Sequence, residues 1–289
     1  MSSKVITRRS FLRKTFGTLV TFLGLSGGGY YYVRYFEPDW VETNHVKISS
    51  NKIPKSFDQY KILQFSDTHL GFNYQIQEFE SLINKMNELH ADLVLFTGDL
   101  IDAPDRYQQF DKVGPLLKKI QSKDGKYWIY GNHDHGGYGT EILKDVMTAG
   151  EFTLLQNEHQ QIKKNRDFIF LSGLDDGMLG KPDLNLALQG VNPETYTILM
   201  MHEPDFADLY THSSIDLMLS GHSHGGQVQL PYLGHLIAPP YGQKYVNGSY
   251  SVGESDFHLY VNKGIGTTRL PYRFLCRPEI TLFTLNSSE

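Results

Sequence analysis

The sequence predicts an α/β fold of two packed β-sheets flanked by helices, and three observations carry that expectation. Short apolar runs recur along the chain and stop abruptly at polar residues, the pattern of buried strands feeding loops. Helix-period segments separate the earlier runs, so strands and helices alternate as they do around a central sheet. After His224 the chain turns to short strands rich in Gly, Pro and aromatic residues, which fits a second, more antiparallel sheet packed face to face on the first.

Residues 1–34 stand apart. They carry Lys4, Arg8, Arg9, Arg13, Lys14 and Arg34 without a single Asp or Glu, and Thr15 to Val33 is a run of 19 residues without a charge. Thr7-Arg8-Arg9-Ser10-Phe11-Leu12 resembles a twin-arginine signal, an address read by the machinery that exports folded proteins across the bacterial cytoplasmic membrane. The uncharged run approaches the roughly 20 residues that span a bilayer, but Gly, Ser and Thr dilute it and no Ala-x-Ala-like site follows. It reads either as a twin-arginine-type signal or as an uncleaved N-terminal membrane segment. The protein is accordingly expected outside the membrane, as a secreted, cell-wall-associated or anchored species.

Residues 35–58 read as a lead-in strand and linker: Val41 to Ile48 alternates as a strand does, and Asn51 to Ser56, with Pro54, turns into the next one. Residues 59–289 then form one domain, of a length ordinary for a single α/β unit. Its strands are Ile62 to Phe65, Leu93 to Phe96, Tyr127 to Tyr130, Ile198 to Met201 and Leu217 to Ser220, with helices over Ile76 to Leu89 and Gln108 to Ile120. Gln227 to Leu230, Phe257 to Val261 and Ile280 to Leu285 are the short strands of the second sheet. Leu174 to Val191, with its Asp, Gly and Pro residues, is a loop that either overhangs the site or is passive surface.

Composition excludes several classes of protein. The single Cys276 rules out an intrachain disulfide and any zinc site built from cysteines. Beyond residue 34 the remaining 21 basic groups face all 32 acidic ones, a net charge of −11, so the body carries no nucleic-acid-binding footprint.

The strand ends are where the chemistry gathers, as ligand sites of open α/β sheets do. They offer Asp67, His69, Asp99, Asn132, His202, His222 and His224, seven oxygen and nitrogen donors with no sulfur. Any one of them alone reads as a helix cap or an ordinary histidine; seven at five strand ends read as a place for two metal ions, with Asp99 the natural bridge. Paired divalent ions clamp the attacking and leaving oxygens of a phosphoryl displacement and acidify a bridging water. Their positive charge, less that of two aspartates, suits an anionic phosphate ester.

In order, Asp-x-His, Gly-Asp-x-x-Asp, Gly-Asn-His-Asp, a lone His after a strand and Gly-His-x-His resemble the calcineurin-like metallophosphoesterases, with every motif position filled. The resemblance implies that Asp67, His69, Asp99 and His224 hold one metal and Asp99, Asn132, His202 and His222 the other. It also implies that His133 faces the leaving group. Asp134 would orient its imidazole, and Asp102 either supports the site or merely shapes a turn. The stretches 131–139, 221–231 and 268–274 further resemble the YkuE-type subgroup of exported bacterial phosphodiesterases. His135, Arg269 and Arg273 are candidates to touch the substrate, the arginines by clamping phosphate, although each also reads as a surface residue.

The function expected is therefore a metal-dependent phosphoesterase, a diesterase before a monoesterase. Mn is the favoured ion, with Zn, Fe, Co or Mg as alternatives. Two rivals stand beside it: a pyrophosphohydrolase acting on a nucleotide-linked lipid precursor of the UDP-diacylglucosamine type, and a non-catalytic binding module on the same fold. The export signal weighs against a cytosolic substrate, and the complete motif set weighs against the binding module.

Overall fold

The computed structural model describes residues 26–135, 140–253 and 257–288. Most of the expected export signal therefore lies outside the described residues. The described chain opens with helical turns over 26–31, a π-turn at Tyr32–Phe36 and a 3-10 turn at Glu37–Asp39. Among the described residues no helix is long and apolar enough to cross a membrane.

Strands β1 (Glu42–Ser50), β2 (Tyr60–Phe65), β3 (Leu93–Phe96), β4 (Lys126–Trp128) and β5 (Phe152–Leu154) come first. Helices α1 (Ile76–Asn87) and α2 (Phe110–Lys118) connect β2 to β3 and β3 to β4, while α3 (Asn132–His135) and α4 (Thr140–Ala149) precede β5. The chain continues through β6 (Glu158–Lys164), β7 (Asp167–Gly173), α5 (Leu184–Ala187), β8 (Thr197–Met200) and β9 (Leu217–Ser220). A small hairpin, β10 (Gln229–Leu230) and β11 (Gly234–His235), leads to β12 (Gly248–Ser251), β13 (His258–Val261) and β14 (Glu279–Ser287).

Two six-stranded sheets result, ordered β1-β14-β2-β3-β4-β5 and β12-β13-β9-β8-β7-β6. The expected layered sandwich is what forms, but three details of the second sheet are corrected. The run Gln227 to Leu230, expected in it, contributes β10 to the separate hairpin with β11. The second sheet is parallel through β13, β9, β8 and β7, and antiparallel only where β12 and β6 close its edges. The run Ile280 to Leu285, expected there, lies in the first sheet, where β14 runs parallel to β1 and antiparallel to β2.

The reason for that placement is visible in β14 itself. Ile280 and Leu282 point into the core beneath the helices, while Phe283 and Leu285 point into the core between the sheets. A strand apolar on both faces needs cover on both, which an interior position supplies. The same period of two splits the apolar runs read from the sequence: Ile62, Leu93 and Leu95 face the second sheet, whereas Leu63, Val94 and Phe96 face α1 and α2. On the other side Ile198, Met200, Leu217 and Leu219 face inward and Leu199 and Met218 pack outward.

Helix α1 buries Ile76, Phe79, Leu82, Ile83 and Met86, one stripe at helical spacing, and Glu78 accepts from the Gln75 N–H at 3.1 Å at its start. The two helices expected from the sequence stop short of their expected ends, at Asn87 rather than Leu89 and at Lys118 rather than Ile120. The edge strand β1 pairs with β14 over nine positions, which makes the lead-in strand part of the first sheet.

Replacing Phe283 by Ala should cost about 3–5 kcal/mol of stability in equilibrium urea unfolding, the usual penalty for emptying an aromatic site in a packed core. A loss near zero would contradict the sandwiched position of β14.

Candidate metal centre

Five strands end on one edge of the sandwich, and the loops after them interlock. The Asp67 N–H donates to the Gly98 carbonyl at 2.9 Å, His69 N–H to that of Asp99 at 3.2 Å, and Gly221 N–H to that of His202 at 3.1 Å. These bonds continue the strand ladders past the sheets and hold side chains from different strands at one point. The cost is backbone strain: Asp67, His69, Asp99, His222 and His224 all have φ between 42° and 68°. Such conformations cost on the order of 1–3 kcal/mol each and persist only where the surroundings over-determine them.

Glycine makes the closest approaches workable. A Cβ on Gly131 would lie 2.3 Å from Asp99 Oδ1, and one on Gly221 would lie 2.3 Å from Asp67 Oδ2. Any side chain there would displace the two aspartates, which explains the Gly before Asn132 and the Gly before His222.

Hydrogen bonding settles which imidazole nitrogens look inward, because carbonyl and carboxylate oxygens only accept. His202 Nδ1–H donates to the Thr97 carbonyl at 2.6 Å and His69 Nδ1–H to Asp102 Oδ1 at 3.1 Å, which turns both Nε2 atoms inward. His222 Nε2–H donates to the Pro240 carbonyl at 2.8 Å, leaving its Nδ1 to face inward. His224 Nε2 lies 3.0 Å from His69 Nε2 and 3.4 Å from Asp67 Oδ1. Asp99 Oδ2 stands between the two sets, 3.5 Å from His69 Nε2 and 3.2 Å from His202 Nε2.

These donors form two groups, Asp67 with His69 and His224, and Asp99 with His202 and His222, each with ligand atoms within 4.8 Å of one another. Asn132, half-buried, lines the same cleft as Asp99, His222 and His224. The residues fit divalent metal ions on chemical grounds: the Nε2 atoms of His69 and His224 converge to 3.0 Å beside Asp67, and His202 Nε2 is buried without a hydrogen-bond partner.

Electrostatics divide the donors: burial opposes the charged form of His202, but Asp99 and Asp67 beside it raise its pKa well above the usual value. Burial, reinforced by neighbouring His202, pushes the His222 pKa down to about 3, and burial with His69 holds His224 well below its usual value, so both are neutral and able to ligate. Burial opposes ionisation of Asp99, yet His202 and His133 hold its carboxyl well below the usual carboxylate range. Asp67, wholly buried, is pushed up by desolvation.

The structure reassigns several expected roles. Asp134 does not orient the His133 imidazole. Its carboxylate is buried and accepts from the Asp99, Leu100 and Gly131 N–H groups at 2.7, 2.9 and 3.0 Å, so it shapes the loop that carries Asp99. Burial and the Asp99 charge push its pKa up to about 7. The His133 ring is held instead by the main chain of Asp102, whose carbonyl accepts from Nδ1 at 2.6 Å. Asp102 thus braces His69 through its side chain and His133 through its backbone, and Thr268 Oγ1 donates to it at 3.2 Å.

Arg273, expected to clamp phosphate, is wholly buried. Its guanidinium donates to the carbonyls of Lys263, Gly264, Gly266 and Cys276, so it ties one loop together rather than meeting substrate. His135 meets Asp175 Oδ1 through Nε2 at 2.9 Å and is turned away from the role expected for it. Arg269 is exposed and lines the cleft. That cleft, about 370 Å³, has Asp99, Asn132 and His133 on its floor and Leu236, Ile237 and Leu270 along its upper wall. The Leu174 to Val191 segment reaches it through Met178.

The carbonyls of Thr97, Asp102 and Pro240 were beyond sequence reasoning, since a main-chain acceptor leaves no side-chain signal. Thr268 was equally silent, lying far along the chain from the Asp102 it binds.

A cluster of oxygen and imidazole donors at the ends of sandwiched parallel strands defines a metal-dependent hydrolase. The family model "Calcineurin-like phosphoesterase" matches residues 60–226, and the chain belongs to that family. Its relatives include the uncharacterised metallophosphoesterase YkuE of Bacillus subtilis, 48% identical over 286 residues and 99% of each chain. The phosphodiesterase YaeI of Escherichia coli is 30% identical over 97% of this chain and 100% of its own. Among solved structures, a dimetal phosphatase of Danio rerio aligns over 78% of this chain and 99% of its own with a TM-score of 0.47 and 13% identity.

Two substitutions should separate the arginines. Arg273→Leu leaves several buried carbonyls unpaired, each worth about 1–3 kcal/mol, and should lower the unfolding midpoint steeply, while Arg269→Ala should stay within about 0.5 kcal/mol of the parent. Equal losses in differential scanning calorimetry would contradict this division.

Proposed function

We propose that the chain is a dinuclear phosphodiesterase that works outside the bacterial cytoplasmic membrane after export by the twin-arginine machinery. The observation that carries the proposal is Asp99 Oδ2, placed within 3.5 Å of one inward imidazole from each donor set. A carboxylate in that position can serve both sets at once. Asp67, His69, Asp99 and His224 would hold one ion, and Asp99, Asn132, His202 and His222 the other.

Two divalent ions there would supply Lewis acidity toward a phosphate oxygen and lower the pKa of a water toward neutrality. Mn is the ion proposed, with Zn, Fe, Co or Mg admitted by the same donors. The protein's own residues supply the remainder. His133, fixed by the Asp102 carbonyl, keeps Nε2 free to protonate the departing alkoxide oxygen. Burial disfavours its charged form, but the Asp99 charge and that carbonyl raise its pKa above the usual value, which suits an acid. Arg269 at the rim can pair with a phosphate oxygen left outside the metal-facing floor.

The apolar upper wall favours an ester with two organic arms over a doubly charged monoester, in keeping with the relative named a phosphodiesterase. The same wall supports the second reading, pyrophosphate hydrolysis on a nucleotide-linked lipid. The outward address and the acidic body support action beyond the membrane, in contact with the cell wall or the lipid surface.

Metal-stripped protein restored singly with Mn, Zn or Mg should hydrolyse bis-p-nitrophenyl phosphate in preference to p-nitrophenyl phosphate. Asp99→Asn should abolish turnover and reduce bound metal, whereas His133→Ala should lower kcat by about 10²–10⁴ with metal content retained. Preference for the monoester would make the enzyme a phosphatase, and UMP release from UDP-diacylglucosamine alone would favour the second reading. Full metal occupancy without turnover of any of these esters would favour a binding module. Arg8→Lys with Arg9→Lys should retain the protein in the cytoplasmic fraction; unchanged export would remove the twin-arginine route.

A further inference from the structure

The hairpin beside the cleft is built unlike the rest of the body. Residues 228–242 contain no Asp, Glu, Lys or Arg, in a chain that carries 59 such groups. Its apolar side chains face outward: Tyr232 is fully exposed, Leu233 is 77% exposed, and Leu236 and Ile237 are more than half exposed. Two paired positions, the Leu236 N–H bond to the Val228 carbonyl at 3.1 Å and the Gln229 N–H bond to the Phe274 carbonyl at 2.8 Å hold its base, while the tip at Tyr232 and Leu233 stands exposed. A soluble surface rarely leaves such a contiguous apolar patch uncovered.

Two neighbouring segments extend the patch. Phe274, which bonds the hairpin base, follows Arg273, whose N–H donates to the Val33 carbonyl at 3.0 Å, and the Tyr272 ring packs edge-on against Tyr30 at 6.1 Å. The segment 270–275 therefore joins the hairpin to the N-terminal turns and adds exposed Leu270 and Leu275. On its other flank Tyr30, Tyr31, Tyr35 and Phe36 are all exposed. Across 26–36, 228–242 and 264–275 the only charged residues are Arg34, Arg269 and Arg273, although the body beyond residue 34 has a net charge of −11.

We propose that this acid-free aromatic and aliphatic face docks the catalytic body on an anionic lipid surface, with the Tyr232-Leu233 tip entering the head-group layer. Tyrosine and tryptophan rings favour that layer, and aliphatic tips gain by leaving water there. Arg269, exposed on the patch, meets anionic head groups where the acidic remainder of the surface would be repelled. The chain also enters the described body on this face, within the uncharged run that extends from Thr15 to Val33, so a leader held in a membrane would bring the same face toward it. Leu236, Ile237 and Leu270 belong both to the patch and to the cleft wall, so docking would set the mouth of the cleft at the lipid boundary. The docking face stands independently of the proposed esterase reaction.

The test uses the full chain with an environment-sensitive nitrobenzoxadiazole label on Leu233→Cys, Cys276 being buried, and Gln161→Cys on exposed β6 as the control position. Vesicles of phosphatidylglycerol and phosphatidylethanolamine should shift the emission at 233 to the blue and allow quenching by brominated acyl chains. The signal at 161 should not move, and phosphatidylcholine vesicles should give a smaller response at 233. A probe at 233 that stays in water while the chain floats with the vesicles would overturn the proposal, since the leader alone would then hold the membrane. A response to isolated anionic wall polymer and none to vesicles would overturn it equally. Hydrolysis of bis-p-nitrophenyl phosphate by the labelled variant, measured in parallel, reports on the reaction separately from the docking.

Discussion

Too many electron pairs converge on one buried place. Asp67, Asp99 and the inward nitrogens of His69, His202, His222 and His224 form two adjoining groups, each with its ligand atoms within 4.8 Å of one another, and the outer nitrogens of His69, His202 and His222 are already committed to acceptors. The Nε2 atoms of His69 and His224 approach to 3.0 Å, with Asp67 Oδ1 3.4 Å from that of His224. The architecture around the cleft serves to hold that arrangement in place.

It does so with backbone. The ligand-bearing loops are continuations of parallel ladders, and five donors sit in left-handed conformations that a free loop would abandon. Asp134 spends both carboxylate oxygens on three N–H groups of neighbouring loops, which anchors Asp99 from behind. Arg273 does the same for the loop at 263–276 by bonding its carbonyls. A charged residue beside a catalytic cluster can thus be structural in purpose, and burial together with the identity of its partners separates that case from a substrate contact.

Mechanism and placement meet at the cleft wall. Its floor is polar and metal-seeking, its upper side apolar, and that apolar side continues outward onto the hairpin surface.

Much of this could be read in the sequence, because strand ends and metal motifs leave local marks. Ile62 to Phe65 before Asp67 and His69, or Leu217 to Ser220 before His222 and His224, announce a buried strand and its donors within a few residues, and burial on both faces makes such runs continuously apolar. What lay beyond reach required distant segments to meet. The position of β14 between β1 and β2 depends on pairings more than 200 residues apart, and the parallel character of the second sheet depends on which strand β13 finds. The roles of Asp134, Arg273 and His135 were decided by partners on other loops. A side chain's chemistry is written at its own position, but the atom it bonds is chosen by tertiary packing, so the sequence determined the donors and the structure alone decided what each of them faces.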